Sequence, residues 1–241
     1  INSALSLLAF TLAKSDKRQL SKRTQARLDP IIQKMQQIWA DPKVKLVASS
    51  SPMDAILYYH FKMQQPEEAY RVLQSIIQSQ TKYLRPTIHG INTVLSSFAK
   101  QGNVEMARSL VEEMLSPEST PRGRRRLPSP NVVTFNALLD AIAKCGDQDA
   151  GIKAEEVLNW MENLSIHADA ISYSAAIQAW SKSRHPQSAE KAEAILRHMI
   201  DLQVSGARSH VAPNEMTFSS VIHAWSLSGR PDATERATEV M

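Results

Sequence analysis

The chain is short of the residues that most architectures depend on. Its 241 residues include one cysteine, Cys145, which excludes an internal disulfide framework and a cysteine-based zinc site. In a helix-to-helix turn such a lone thiol reads as a small filler. Only seven glycines are present and nothing reads as an alternating strand, so an all-α fold is the economical class. No apolar run approaches the roughly 18 residues of a membrane span, and the mean hydropathy is −0.29. The histidines show no ligand spacing, and no Ser/His/Asp trio can be assembled. No catalytic residue, metal, cofactor or small-molecule substrate is therefore expected in this segment. Ile1 is preceded by no initiator Met, signal h-region or Arg/Ser-rich presequence, and Met241 falls within a helical pattern. A fragment of a longer array is the expectation, with any targeting segment outside it. The net charge of +4 leans towards an anionic partner without requiring one.

What is present is a repeated helical stripe. Phe135, Leu138, Leu139 and Ile142 run i, i+3, i+4, i+7, the spacing of one helix face, and Ala154, Val157, Leu158 and Met161 repeat it. The same pair appears upstream as Ile91, Val94, Leu95, Phe98 with Ala107, Leu110, Val111, Met114. Downstream it returns as Tyr173, Ala176, Ile177, Trp180 with Ala192, Ile195, Leu196, Met199. A partial copy is Phe218, Val221, Ile222, Trp225 with Ala237 and Val240, and a weaker one is Met53, Ile56, Leu57, His60 with Ala69, Val72, Leu73, Ile76. Recurrence at this period predicts an α-solenoid, a superhelix of stacked antiparallel helix-turn-helix repeats. Units run about 50–87, 88–131, 132–169 and 170–214, with a partial 215–241 and a divergent N-terminal repeat in 1–49. On their stripes, Trp180 and Trp225 are expected to pack in the core.

Punctuation between stripes predicts the turns. Pro66, Pro186 and Pro231 suit first-turn positions of second helices, and Asn103 and Asp147 suit N-caps. Ser116 to Pro130, rich in proline, is expected to be a solvated loop containing no stripe residue. A second long connection is expected from Gln203 to Pro213.

Three helix openings share more than periodicity: Val132-Val133-Thr134-Phe135-Asn136, Ala170-Ile171-Ser172-Tyr173-Ser174 and Glu215-Met216-Thr217-Phe218-Ser219. Each follows Asn131, Asp169 or Asn214, and second helices share basic-Ala-acidic starts such as Lys153-Ala154-Glu155 and Lys191-Ala192-Glu193. These segments resemble the pentatricopeptide repeat family of RNA-binding solenoids, over most of residues 50–241. The resemblance implies that each repeat reads one base of single-stranded RNA. By position, the implied base readers are Asn92 with Asn131, Asn136 with Asp169, and Ser174 with Asn214, followed by Ser219. Asp54 with Thr87 is an unusual pair, and Asn2 or Ser6 with Ser49 a weakly defined one. Val133, Ile171 and Met216 are the implied base-flanking residues, with His89 and Ser51 less convincing. The family also implies a mitochondrial or plastid address and a role in RNA processing, stability, editing or translation.

Side-chain chemistry is compatible with that implication. Asn136 stands one residue off the stripe, and its amide both donates and accepts. An ionised Asp169 only accepts, which favours a base presenting a ring N–H, as uracil does. With Asn131 serving either pyrimidine and Ser174/Asn214 read as adenine by analogy, the expected order is pyrimidine–U–A. Asn92, Asn136, Ser174 and Ser219 are then expected to be exposed. The alternative for Asn131, Asp169 and Asn214 is helix capping. Arg122, Arg124, Arg125 and Arg126, and Lys14, Lys17, Arg18, Lys22 and Arg23, are candidate phosphate contacts or solvated charge runs. Competing functions are a protein-binding scaffold and the RNA-binding arm of a larger RNA-processing enzyme.

Overall fold

The computed structural model describes residues 51–78, 86–116, 127–206 and 211–240, with Pro30 and Gln33 as isolated positions. The divergent repeat 1–49, with Asn2, Ser6, Ser49 and its basic residues, lies outside the described residues, as do Arg122, Arg124, Arg125 and Arg126. Among the described residues every regular element is helical. In order they are α1 Ser51–Lys62, α2 Pro66–Gln78, α3 Ile88–Gln101, α4 Val104–Leu115 and α5 Val132–Cys145. Then follow α6 Ala150–Asn163, α7 Ala170–Lys182, α8 Ser188–Val204, α9 Glu215–Leu227 and α10 Ala233–Glu239. The fold is an all-α solenoid of successive helix pairs, and among the described residues no helix is long and apolar enough to cross a membrane. Two compact units divide the chain, Ile1–Ser97 with Glu112–Ser129, and Phe98–Val111 with Pro130–Met241.

In the first unit α1 packs on α2, burying Met53, Ile56, Leu57 and His60 on one helix and Ala69, Val72, Leu73 and Ile76 on the other. Pro66 opens α2, where its missing N–H costs no hydrogen bond, and Glu67 and Glu68 follow at the positive end of the helix dipole. Leu127, also in this unit, is only 7% exposed. In the second unit Pro130 is buried as well. The expectation of a wholly solvated stretch from Ser116 to Pro130 is thus corrected at its C-terminal end. Burying a leucine contributes about 1.5–3 kcal/mol, enough to draw that end onto the helices.

In the second unit α7 packs against α5, α6, α8 and α9, and α9 packs against α8 and α10. The stripes of α5, α7 and α8 are buried throughout, while Phe218, Ile222, Ala237 and Val240 in the last pair are only half-buried. Trp180 and Trp225 lie in the core. Gly151 is required by the first of them, because a Cβ there would fall inside the Trp180 ring. Across second helices runs a ladder of ion pairs: Arg108–Glu156 at 3.6 Å, Lys191–Glu155 at 3.2 Å, Arg230–Glu190, and Arg236–Glu193 at 2.9 Å. Exposed pairs contribute little. Glu193 differs, being 2% exposed and also accepting from Trp225 Nε1 at 2.9 Å and from Arg197.

Several turn expectations need correction. Asn103 does cap α4, accepting from Met106 N at 3.2 Å. Asp147, however, precedes Asp149, the N-cap of α6, and pairs with Lys153 instead. Lys153 holds the Asp147 carboxyl below its ordinary value. Pro186 and Pro231 stand in turns two residues before α8 and α10, where their fixed φ directs the chain into the helix rather than opening it. The connection expected from Gln203 starts later, because α8 continues to Val204.

Candidate functional site

Three helices of the second unit begin with the same local chemistry. Asn131, Asp169 and Asn214 are N-caps with extended backbone. Their side-chain oxygens accept the N–H of Thr134, Ser172 and Thr217 at 3.1, 2.9 and 3.0 Å. The hydroxyls of those same residues accept the N-cap N–H in return, so each end is a reciprocal capping box. Capping is therefore a real role of all three residues.

One of the three caps reaches further. Asn136, the fifth residue of α5, donates through Nδ2 to both carboxylate oxygens of Asp169, at 3.2 and 3.3 Å. Its Oδ1 accepts from Ser172 Oγ at 2.6 Å. These contacts link residues 33 and 36 positions apart and join one helix pair to the next. Because a carboxylate only accepts, the amide must turn its NH2 to Asp169, which leaves Oδ1 facing Ser172.

At the following junction the contact passes through an intermediate. Ser174 Oγ lies 3.1 Å from Thr217 Oγ1, which is bonded to Asn214 Oδ1 at 2.9 Å. Ser174 also donates to its own helix at Ala170 O, 2.6 Å away. In the first unit, Thr87 Oγ1 donates to Asp54 Oδ1 at 2.6 Å and accepts the Gly90 N–H at 2.9 Å. Burial pushes the Asp54 carboxyl above its ordinary value, against the Thr87 hydrogen bond and the charge of His89.

The remaining expected readers divide. Ser219 is exposed, and Asn136 and Ser174 are half-buried. Asn92 is 8% exposed, a correction to its expected exposure. The opening turn of α3 is packed closely here: a Cβ on neighbouring Gly90 would meet Asp54 Oδ1 at 2.6 Å and Leu57 Cδ1 at 2.9 Å. Val133, Ile171 and Met216, the second residues of α5, α7 and α9, are 51%, 64% and 63% exposed. Apolar side chains left in water at one position of three helices contribute nothing to the core. His89 is exposed too, whereas the Ser51 side chain is not described.

Residue-by-residue reading missed two features. One is the buried hydroxyls of Thr134, Ser172 and Thr217, whose signal was the Thr/Ser before each aromatic. The other is Glu193, which the basic-Ala-acidic start of α8 carried in plain view.

Comparison with known proteins falls on the same segments. A family model described as the PPR repeat matches residues 91–116, and one described as the pentatricopeptide repeat domain matches residues 128–184. The chain is 40% identical over 62 residues to the pentatricopeptide repeat-containing protein At4g14850 of Arabidopsis thaliana, covering 26% of this chain and 8% of that protein. Among solved structures it is similar to the pentatricopeptide repeat protein PPR10 in complex with an 18-nucleotide psaJ RNA element. The TM-score is 0.56 at 17% identity, covering 98% of this chain and 34% of that one. A triple Cys-to-Ser variant of PPR10 in complex with the psaJ element gives the same values. At that identity the likeness speaks to the fold alone, and the chain spans about a third of the solved structure. The matched helix pairs are those whose caps and stripes recur, and pentatricopeptide repeats account for residues 91–116 and 128–184.

Proposed function

We propose that this chain binds single-stranded RNA with base selectivity, one base to each helix pair, in the service of organellar RNA processing, stability, editing or translation. The observation that carries the reading is the Asn136–Asp169 contact. A half-buried amide and a carboxylate from the two ends of one repeat are held together at successive first-helix openings, with Ile171 exposed beside them. A purely structural cap needs no partner on the preceding first helix. The polar pair supplies hydrogen-bonding groups for a base edge, and the exposed apolar residues supply surfaces for its faces. Asn131, Ser174, Asn214 and Ser219 are the corresponding groups at neighbouring positions, with Val133 and Met216 as flanking surfaces. Asn92 joins them only if its opening turn loosens on binding. Mitochondrion or plastid is the address that the family suggests, and no catalytic step is assigned to this segment. PPR10, whose structure holds an RNA, supports the reading by its fold.

Asp169→Asn tests it. Asn caps about as well as Asp, so stability should hardly move. The acceptor-only group is lost, the Asn136 amide is free to turn over, and preference at that base should relax from uracil towards cytosine. The expected shift is about 1 kcal/mol, read by competition between oligonucleotides differing only at that base. An unchanged uracil-to-cytosine ratio would remove Asp169 from base reading. Against a protein-binding scaffold, affinity for RNA should fall steeply with salt.

A further inference from the structure

We propose that the third residue of each first helix is a specificity-determining positioning residue for the base reader one repeat earlier; this rests on the base-reading role of Asn136 and Ser174. Three junctions place that residue against the preceding reader. Ser172 donates to Asn136 Oδ1 at 2.6 Å, Thr217 Oγ1 lies 3.1 Å from Ser174 Oγ, and Gly90 leaves room for Asp54, whose Oδ1 a Cβ would meet at 2.6 Å. Both hydroxyl-bearing residues are fully buried, so RNA cannot touch them and any influence on base choice must pass through the reader.

The proton accounting defines what each reader presents. At the first junction Asp169 takes the Asn136 NH2, and Ser172 Oγ accepts the Asp169 N–H at 3.1 Å. The one Ser172 proton then goes to its nearer acceptor, Asn136 Oδ1 at 2.6 Å rather than Asp169 Oδ1 at 3.0 Å. Asn136 is held at both ends, so its amide cannot turn over and the order of its N–H and C=O sides is fixed. At the second junction Ser174 spends its proton on Ala170 O, and the one Thr217 proton has its nearer acceptor in Asn214 Oδ1 at 2.9 Å, so Thr217 holds Ser174 by close approach at 3.1 Å. Ser174 then offers lone pairs only, an edge suited to the exocyclic N–H of adenine. At the Asp54 junction the glycine supplies no such donor, and Thr87 alone orients the carboxyl.

The test uses the whole chain and RNA oligonucleotides that differ at one base. Ser172→Ala should reduce the uracil-to-cytosine affinity ratio at the base facing Asn136 by about fivefold, the worth of one hydrogen bond. Ser172→Thr, which keeps the hydroxyl, should restore it, and the ratio at the Ser174 base should not change in either variant. A thermal shift alone, with the ratio intact, is what a merely structural cap predicts and would overturn the proposal. Asn136→Ala is measured alongside. If it abolishes discrimination while Ser172→Ala does not, base reading stands and this inference falls. If Asn136→Ala leaves discrimination unchanged, both fall. Should Ser172→Ala fail to fold, Ser172→Cys gives the same reading, since a thiol of similar size donates only weakly.

Discussion

The junctions at Asn136 and at Ser174 are built on the same backbone plan and carry different hydrogen-bond circuits. In both, an N-cap closes a reciprocal box with a buried hydroxyl three residues on, and an aromatic follows that hydroxyl. At the first, a long amide spans the gap to the cap and binds the carboxylate directly. At the second, the shorter Ser174 cannot reach Asn214, and Thr217 fills the interval. The difference teaches that the scaffold supplies position and the side chain supplies reach. Exchange of two residues can therefore rewrite a junction without disturbing the stack.

The largest expected effect separates the two junctions by unfastening one of them. Glu193 is a buried carboxylate holding Trp225 of α9 and Arg236 of α10. Glu193→Ala should cost about 2–3 kcal/mol, because the buried Trp225 indole N–H is left without its acceptor and Arg236 without its partner. Hydrogen exchange should show the loss in α9 and α10, with the Asn136–Asp169 junction still protected. Uniform loss across the second unit would show that the two junctions are not separable.

Next comes a change that should disturb both at once. Gly151→Ala drives a methyl into the Trp180 ring between α6 and α7, and overpacking of this kind costs about 1–3 kcal/mol. Thermal unfolding should register it, and selectivity should weaken at both bases together.

A conversion sharpens the comparison further. Ser174→Asn with Asn214→Asp gives the second junction the groups of the first. Preference at that base should move from adenine to uracil by about 1 kcal/mol, with the melting temperature nearly constant. Each single change should do less than the pair, and strict additivity would argue against a shared circuit.

The smallest effect concerns the first unit. Burial raises the Asp54 carboxyl pKa, so the folded chain holds that proton more tightly than the unfolded one. Stability from this group therefore falls as pH rises from the ordinary carboxylate value through the raised one, and the ionised form is the costly one at neutrality. Asp54→Asn should stabilise the unit at pH 7 by less than about 1 kcal/mol, since solvent screens a half-buried group and Asn still accepts from Thr87. The gain should vanish in acid, which a melting series against pH would reveal.

Much of the fold could be read along the chain because it is decided by near neighbours. Stripes such as Tyr173, Ala176, Ile177 and Trp180 share a face by helical geometry alone, and they are buried. Asn131, Asp169 and Asn214 cap because an Asn or Asp oxygen lies within reach of the N–H three residues on, whatever the surroundings. The second helices were harder to start correctly: Asp147, Pro186 and Pro231 each lie before the helix they were expected to open or cap, since a turn and a first helical turn use the same residues.

What the amino-acid order determined by itself, then, is the succession of helices and their buried faces, set by spacings of three and four residues. The tertiary structure alone decided that Asn136 meets Asp169, that Thr217 stands between Ser174 and Asn214, that Asn92 is covered, and that Glu193 is buried among cations. Each of these, the covering of Asn92 apart, rests on hydrogen bonds between residues 32 to 43 positions apart. A hydrogen bond weakens steeply with distance and angle, so it exists only once packing has brought two side chains within a fraction of an ångström of the right place.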